Sequence, residues 1–296
     1  MKIFYGIKNK NIDVSNVCFS KLIKNNIIKI PSGDNNRAAL FTDPLVGIVK
    51  SIFIEHDNNF MQYDFTNEIT INLTNNIITT ITKKDINDKL KKIHSNLQIK
   101  YGALNKEVPE QKMVVKYLTG NEKVLEIGGN IGRNSLVIAH ILEDNQKNLV
   151  VLETDDNIAK QLIENRTLNK FTFNIENSAL SKRNLIQKGW DTIESNKLLD
   201  GYKKVKTITL EELYSKYNIQ FDTLVLDCEG AFYYILMDMP EILDNVKLII
   251  MENDYWDISK KHYIDSILKK NNFYVDYVES GGWGPCSSNF FEVWKK

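Results

Sequence analysis

Glu126, Gly128, Asn130 and Gly132 occupy alternate positions in the run "VLEIGGNIGRNSL", Val124 to Leu136. The run opens as a buried strand, turns on glycines and becomes helical. A strand, a glycine turn and a helix together present backbone N–H groups to a nucleotide-like ligand. A dinucleotide requires Gly-x-Gly-x-x-Gly, with the second glycine admitting the pyrophosphate and the third letting helix and strand pack. With Gly128 first, Asn130 and Arg133 stand where the other two belong, and their side chains would crowd a pyrophosphate. The pattern present is acidic-x-Gly-x-Asn-x-Gly. It suits S-adenosylmethionine, which carries an amino acid, a sulfonium and a nucleoside but no pyrophosphate. Gly128 would let the backbone pass close to the methionyl part, and Glu126 would answer its cationic amino group. An acid ending the next strand would take both ribose hydroxyls, and "NLVVLETDD" supplies Glu153 there, about twenty residues on. A plain strand–turn–helix has no need of Glu126, because a carboxylate inside an apolar strand is costly unless paired.

These residues need a scaffold, and the periodicities describe one. From Val108 onward apolar strand runs alternate with helical runs. The strands are "KVLEIGG", "NLVVLET", "FTFNIENSAL", "FDTLVLDCEG" and "VKLIIMEND". The helices are "PEQKMVVKYL", "NSLVIAHIL", "NIAKQLIENRTLN", "TLEELYSKY" and "YYILMDM". Strands with nearly all-apolar cores predict a parallel sheet covered on both faces, an α/β fold. The tail, "FYVDYVES", "GGWGPCSS" and "FFEVWKK", predicts an antiparallel hairpin after a last helix, "KHYIDSILKKN". Met1 to about Thr82 reads differently, as short alternating strands separated by turn-formers such as "PSGDNN", "TDPLVG", "HDNN" and "LTNN". This predicts a small β-rich domain over residues 1–95 and an α/β domain over 96–296. Asp85 to Leu104 reads as a polar helical connector. The stretch "GDNNRAALFTDPLVGIVKSIFI" could bind carbohydrate or another subunit, though a scaffold loop is the preferred reading.

The second half resembles the FkbM family within the class I S-adenosylmethionine-dependent methyltransferases. Thr209-Leu210-Glu211-Glu212-Leu213 and Asp227-Cys228-Glu229-Gly230 carry the resemblance, with the glycine segment, "SALSK" and "LIIMEN" beside them. Glu126 stands where the family usually has Asp, and Gly129 where it has Ala. The resemblance covers about residues 105–296 and leaves the first hundred unexplained. It implies a Rossmann-like seven-stranded sheet ending in the hairpin, and methyl transfer to a hydroxyl of a sugar, a glycan or a glycosylated metabolite. A small non-sugar alcohol as acceptor, or a non-catalytic glycan-binding or assembly protein that kept the fold, are the alternatives. Intact buried acids argue against the last of these.

Methyl transfer from a sulfonium is an in-line displacement, so the enzyme positions the acceptor and removes its proton. Asp227 and Glu229 end the fourth strand; Glu252, Asn253 and Asp254 end the fifth. Asp227, Glu229 and Glu252 are the catalytic candidates, and Asp227 also borders the cofactor. Glu126, Gly128, Asn130, Gly132, Glu153, Ser178 and Ala179 are the remaining cofactor candidates, the last two beside the adenine. Converging acids can also bind a divalent cation, but acid clusters at strand ends often just bind polar substrate, and the metal-free reading is preferred. Glu110 and Gln111 could touch the methionyl end or simply cap a helix. Tyr255, Trp256 and Trp283 could stack on a sugar face or serve as apolar lids. His56, His94, His140 and His262 lie outside the motifs.

The bulk numbers narrow the partners. Lys plus Arg and Asp plus Glu each total 38 in 296 residues, so nothing global favours nucleic acid or an anionic membrane. Cys18, Cys228 and Cys286 show neither zinc spacing nor a disulfide framework, which fits a reducing compartment. "MKIFYGIKNKN" lacks a signal-peptide core and no run suits a membrane span, so the expectation is a cytoplasmic protein, with a homo-oligomer as one option.

Overall fold

A computed structural model describes residues 1–57, 59–189 and 191–296. Asn58, in the expected "HDNN" turn, lies outside them. The chain divides into two compact units, Met1–Lys89 and Leu90–Lys296.

Among the described residues, the first unit contains two four-stranded antiparallel sheets. One holds Lys2–Ile7, Lys10–Asp13, Ser51–His56 and Asn59–Tyr63. The other holds Ile23–Lys24, Ile27–Ile30, Asn67–Asn72 and Ile77–Thr82. Every second residue of the longer strands points inward: Ile3 and Tyr5, Ile52 and Ile54, Ile28 and Ile30, Ile69 and Ile71 share one core. The stretch around Arg37 is tied into the unit by internal hydrogen bonds. Arg37 is fully buried on the helix Asp34–Phe41, and its guanidinium donates to the carbonyls of Pro31, Asp64 and Asn67 at 2.8, 2.9 and 2.5 Å. Buried Lys50 pairs with Asp34 and Asp43 at 3.0 and 2.8 Å. These charges hold loops of the unit closed.

The connector is helical only over Lys83–Asn96. Beyond it, side chains replace the helical hydrogen bonds: Asn169 Oδ1 accepts from the Gln98 N–H, and Asn165 Oδ1 accepts from those of Lys100 and Tyr101. Polarity alone could not distinguish this extended run from a helix, because its partners lie far along the chain.

The second unit is built, in the described residues, on a seven-stranded sheet. In chain order its strands are β1 (Val124–Ile127), β2 (Leu149–Leu152), β3 (Asn174–Glu176), β4 (Thr223–Leu226), β5 (Leu248–Glu252), β6 (Tyr274–Glu279) and β7 (Phe291–Lys295). Their spatial order is β3-β2-β1-β4-β5-β7-β6. β1 to β5 pair in parallel, and β7 runs antiparallel to both β5 and β6. This is a mixed, Rossmann-like sheet. β1, β2 and β4 are buried at every position, which explains their unbroken apolar runs. The link from β6 to β7 is longer than a tight turn and includes a 3-10 helix over Gly284–Asn289.

Helices α1 (Val108–Tyr117), α2 (Arg133–Leu142), α3 (Asp156–Leu168), α4 (Leu210–Tyr217), α5 (Ala231–Asp238) and α6 (Ile258–Lys270) accompany the sheet. Asp155 caps α3 by accepting from the N–H groups of Asn157 and Ile158. Thr209 and Glu212 form a reciprocal capping box on α4. The Thr209–Leu213 motif therefore starts a helix. No helix among the described residues is long and apolar enough to cross a membrane.

Candidate functional site

Strand order reverses between β1 and β4, since β2 lies on one side of β1 and β4 on the other. In open α/β sheets the crevice at that point, outside the carboxyl ends of the strands, is where ligands bind. A cavity of about 510 Å³ lies there. Gly128, Asn130, Glu153, Ser178, Ala179, Asp227, Glu229 and Glu252 all line it, so the structure brings eight of the sequence-selected residues together. Gly132 lies behind them: its φ is +93°, and a Cβ there would come within 2.4 Å of Leu162.

Glu153 is placed by its neighbours. One carboxylate oxygen accepts from the Asn130 N–H and the other from the Asp155 N–H, each at 2.8 Å. Asn130 is held in the left-handed region at φ +47°. The acid at the end of β2 thus ties down the glycine turn, while each oxygen keeps a further lone pair. Burial raises its pKa, against the pull of those N–H groups.

Glu126 is fully enclosed beneath the turn. Its carboxylate accepts from the Ser135 hydroxyl at 2.5 Å, and burial pushes its pKa up to about 8. It borders a chamber of about 10 Å³, which Glu107, Glu110, Asp227 and Glu252 also line. That volume suits roughly one water-sized group. Five carboxyl groups around so small a space cannot all be ionised without a cation among them. The pKa values follow this logic. Glu252 is pushed up to about 10 by burial, by Asp227 and by a hydrogen bond with Glu110. Asp227 is raised well above the usual range by burial and then by Glu107 and Glu110. Asp254 rises to about 7 through burial and its contact with Glu229, and it accepts from the Gly230 N–H at 3.0 Å. Glu229 itself sits at φ +48°, an uncommon conformation for a side-chain-bearing residue.

Some expectations need correction. Gln111 faces away from the cavity: its Nε2 donates to the carbonyls of Leu104 and Lys106, and its Oε1 meets His94 Nε2 at 2.6 Å. Tyr255 is a core residue, 3 % exposed. Asn253 is buried and donates to the Asn289 carbonyl at 2.7 Å. His262 is exposed and outside the cavity lining. No set of three His, Cys, Asp or Glu among the described residues is arranged to hold a metal ion.

Other residues join the site. Glu107, in the left-handed region before α1, lines both spaces and pairs with Arg133 at 2.5 Å. Thr154, Arg183 and Gln187 line the large cavity. Gln187 belongs to a small antiparallel hairpin, Leu185–Lys188 with Asp191–Glu194, inserted after β3. Arg183 fastens this insertion to α5 through Asp238, with bonds of 2.5 and 2.8 Å, and also pairs with Glu194 at 2.8 Å. The sequence signal for the hairpin was the turn-former Gly189 between two short runs.

Three buried acceptors in this lining have no hydrogen-bond partner among the described residues: Glu110 Oε2, Ser178 Oγ and Gln187 Oε1. The Gln187 amide nitrogen is committed to Thr154 Oγ1 at 3.0 Å. Buried polar atoms are rarely left unpaired, and three around one cavity point to a ligand carrying donors.

No protein-family model matches this chain, and no curated protein does. Among solved structures, it is similar to a putative O-methyltransferase from Klebsiella pneumoniae (15 % identity, 70 % of this chain and 88 % of that one, TM-score 0.41). It is also similar to an O-methyltransferase from Bacillus cereus in complex with SAH (16 %, 73 % and 93 %, TM-score 0.40). A third is Aeropyrum pernix fibrillarin with natively bound S-adenosyl-L-methionine (9 %, 84 % and 100 %, TM-score 0.39). At these scores the fold of the second unit rests on its own strand order and pairing.

Proposed function

We propose that the second unit is an S-adenosylmethionine-dependent O-methyltransferase whose acceptor is a hydroxyl of a sugar or glycan. The observation that carries this reading is the cavity at the β1/β4 switch point. It combines Glu153 at the end of β2, three unpartnered buried acceptors, and acids at the ends of β4 and β5. The residues fit the cofactor. Glu153 would take the ribose hydroxyls, and Ser178 and Gln187 would meet the adenine edge, where an exocyclic amine suits an unpartnered carbonyl. Glu110, Glu126 and their neighbours would surround the cationic amino group. The bound cofactor supplies an electrophilic methyl group. The chain holds the acceptor oxygen in line and accepts its proton, and Asp227 is suited to this because its raised pKa makes it a stronger base than an exposed carboxylate. The Asp227–Gly230 run, shared with FkbM proteins, supports a sugar-type acceptor.

Calorimetry with S-adenosylmethionine and S-adenosylhomocysteine tests this reading. Both should bind, and Glu153→Ala should weaken both by about 1–3 kcal/mol, since it strands the Asn130 and Asp155 N–H groups as well as the ligand. Glu153→Gln should not rescue binding, because one of its two ends would turn an amide N–H₂ toward a backbone N–H. Equal binding of NAD, or unchanged affinity in both variants, would remove the assignment.

A further inference from the structure

Close in sequence to the acids ending β5 stands Trp256, which forms a surface pair with Trp283. Trp256 is 80 % exposed and Trp283 39 %, with ring centroids 4.3 Å apart and planes inclined by 36°. Paired exposed aromatics are a surface that apolar ring faces of a ligand can use. Both are rigidly mounted. Trp256 lies two residues beyond Asp254, between buried Tyr255 and Asp257, which caps α6 by accepting from the Ser259 N–H at 2.9 Å. The Tyr255 ring lies 3.7 Å from where a Cβ on Gly230 would stand, so this turn packs directly on the Glu229-Gly230 corner. Trp283 follows Gly281 and Gly282, whose backbone lies flat on the rings of Phe291 and Phe290. A Cβ at either glycine would come within 2.4 and 2.2 Å of those rings.

We propose that Trp256 and Trp283 form the stacking platform for a pyranose ring of the acceptor, with Asp254 and Glu229 binding its hydroxyls. This rests on the methyltransferase reading of the adjoining cavity. A pyranose has one face of C–H groups and a rim of hydroxyls. An exposed indole suits the face, and Asp254, two residues before Trp256, with exposed Glu229 beside the Gly230 corner on which Tyr255 packs, suits the rim. Trp256 and Trp283 stay at the surface while the neighbouring Tyr255 is buried, as a platform open to a ligand requires. Trp256 and Trp283 are thus positioning residues for the acceptor and take no part in holding the cofactor.

The test uses the full chain saturated with S-adenosylhomocysteine. The probes are the methyl pyranosides of glucose, galactose, mannose, rhamnose and fucose, with cyclohexanol and phenol as controls. Saturation-transfer NMR and tryptophan fluorescence are the readouts. At least one pyranoside should bind through its ring C–H groups at tens of millimolar or below. Trp256→Ala and Trp283→Ala should each weaken it roughly tenfold, and Trp256→Phe, which keeps an aromatic face, by no more than about threefold. Affinity for S-adenosylhomocysteine should be unchanged in all three variants. The platform is overturned if no pyranoside binds, if both alanine variants bind like the parent, or if the controls bind equally well. Failure of S-adenosylhomocysteine to bind the parent chain would overturn the cofactor reading and this inference together, whereas cofactor binding without pyranoside binding overturns this inference alone.

Discussion

Gly128→Ala is expected to reduce S-adenosylmethionine affinity by about a thousandfold and to lower the thermal midpoint by more than Gly189→Ala, which leaves affinity nearly unchanged and carries the left-handed strain alone. Gly128 has φ +92°, and a Cβ on it would stand 1.6 Å from the Asp227 carbonyl oxygen and 2.7 Å from its carbon. Both are backbone atoms, so no side chain can swing aside. Neither strand end is free to yield. The Gly128 and Gly129 N–H groups donate to the Leu152 carbonyl at 3.1 and 2.9 Å, and the Asp227 N–H donates to the Ile127 carbonyl at 3.1 Å. An alanine would have to splay β1 from β4 and carry Asp227 with it. The left-handed conformation costs roughly 1–2 kcal/mol and overpacking about 1–3 more. For a unit of this size each kcal/mol lowers the midpoint by roughly 2–4 °C. A displacement of about 1 Å at reacting groups already costs about a hundredfold, and here the cofactor floor and Asp227 move together. Gly189 is the control because it also has positive φ, at +59°, but nothing stands within 4 Å of its missing Cβ. A Gly128→Ala chain with an unchanged midpoint and normal affinity would mean that β1 and β4 are not joined as described.

That contact also marks how far the sequence could be read. The strand–turn–helix of residues 124–142, the acid at Glu153 and the acids ending β4 and β5 were legible, because local periodicity and spacing dictate them. The reason for Gly128 was not. The sequence suggested close approach of a ligand, whereas the backbone it must admit is that of Asp227, a pairing made ninety-nine residues along the chain. Gln111 was left open for a related reason. A helix-start glutamine looks the same whether it faces a ligand or closes a loop, and Leu104, Lys106 and His94 decide the matter. Glu107 escaped notice because its left-handed conformation sets it into the cavity, and nothing in a Glu-Val-Pro-Glu run announces that. The Thr209–Leu213 motif shows the opposite limit: it stood out in the sequence, and what the structure shows there is a helix cap.

Cofactor affinity is expected to rise with pH between about 6 and 8, and the stability of the unliganded chain to fall over the same range. Glu126 has its pKa raised from 4.5 to about 8, and Glu252 to about 10, in both cases chiefly by burial. An acid whose folded pKa lies above its unfolded value holds a proton in the folded state that the unfolded chain has already lost. Its contribution to stability is therefore complete below about pH 4.5 and drains away as pH rises toward 8 for Glu126, and toward 10 for Glu252. A cation placed among these carboxyls reverses the balance, because it favours their ionised forms and expels protons as it binds. Each proton released steepens affinity by up to about tenfold per pH unit below the free group's pKa. S-adenosylhomocysteine, which keeps the amino group but has no sulfonium, should show the same dependence if the amino group occupies the nest. Glu126→Gln separates the groups, since an amide still accepts from the Ser135 hydroxyl but cannot ionise. The variant should be more stable than the parent at pH 8, bind the cofactor about tenfold or more weakly there, and lose one proton's worth of slope between pH 6 and 8. Calorimetry in buffers of different ionisation enthalpy counts the protons directly. An unchanged slope in Glu126→Gln would transfer the linkage to Glu252 and Asp227, and affinity independent of pH in the parent chain would show that the cofactor's cationic group lies elsewhere.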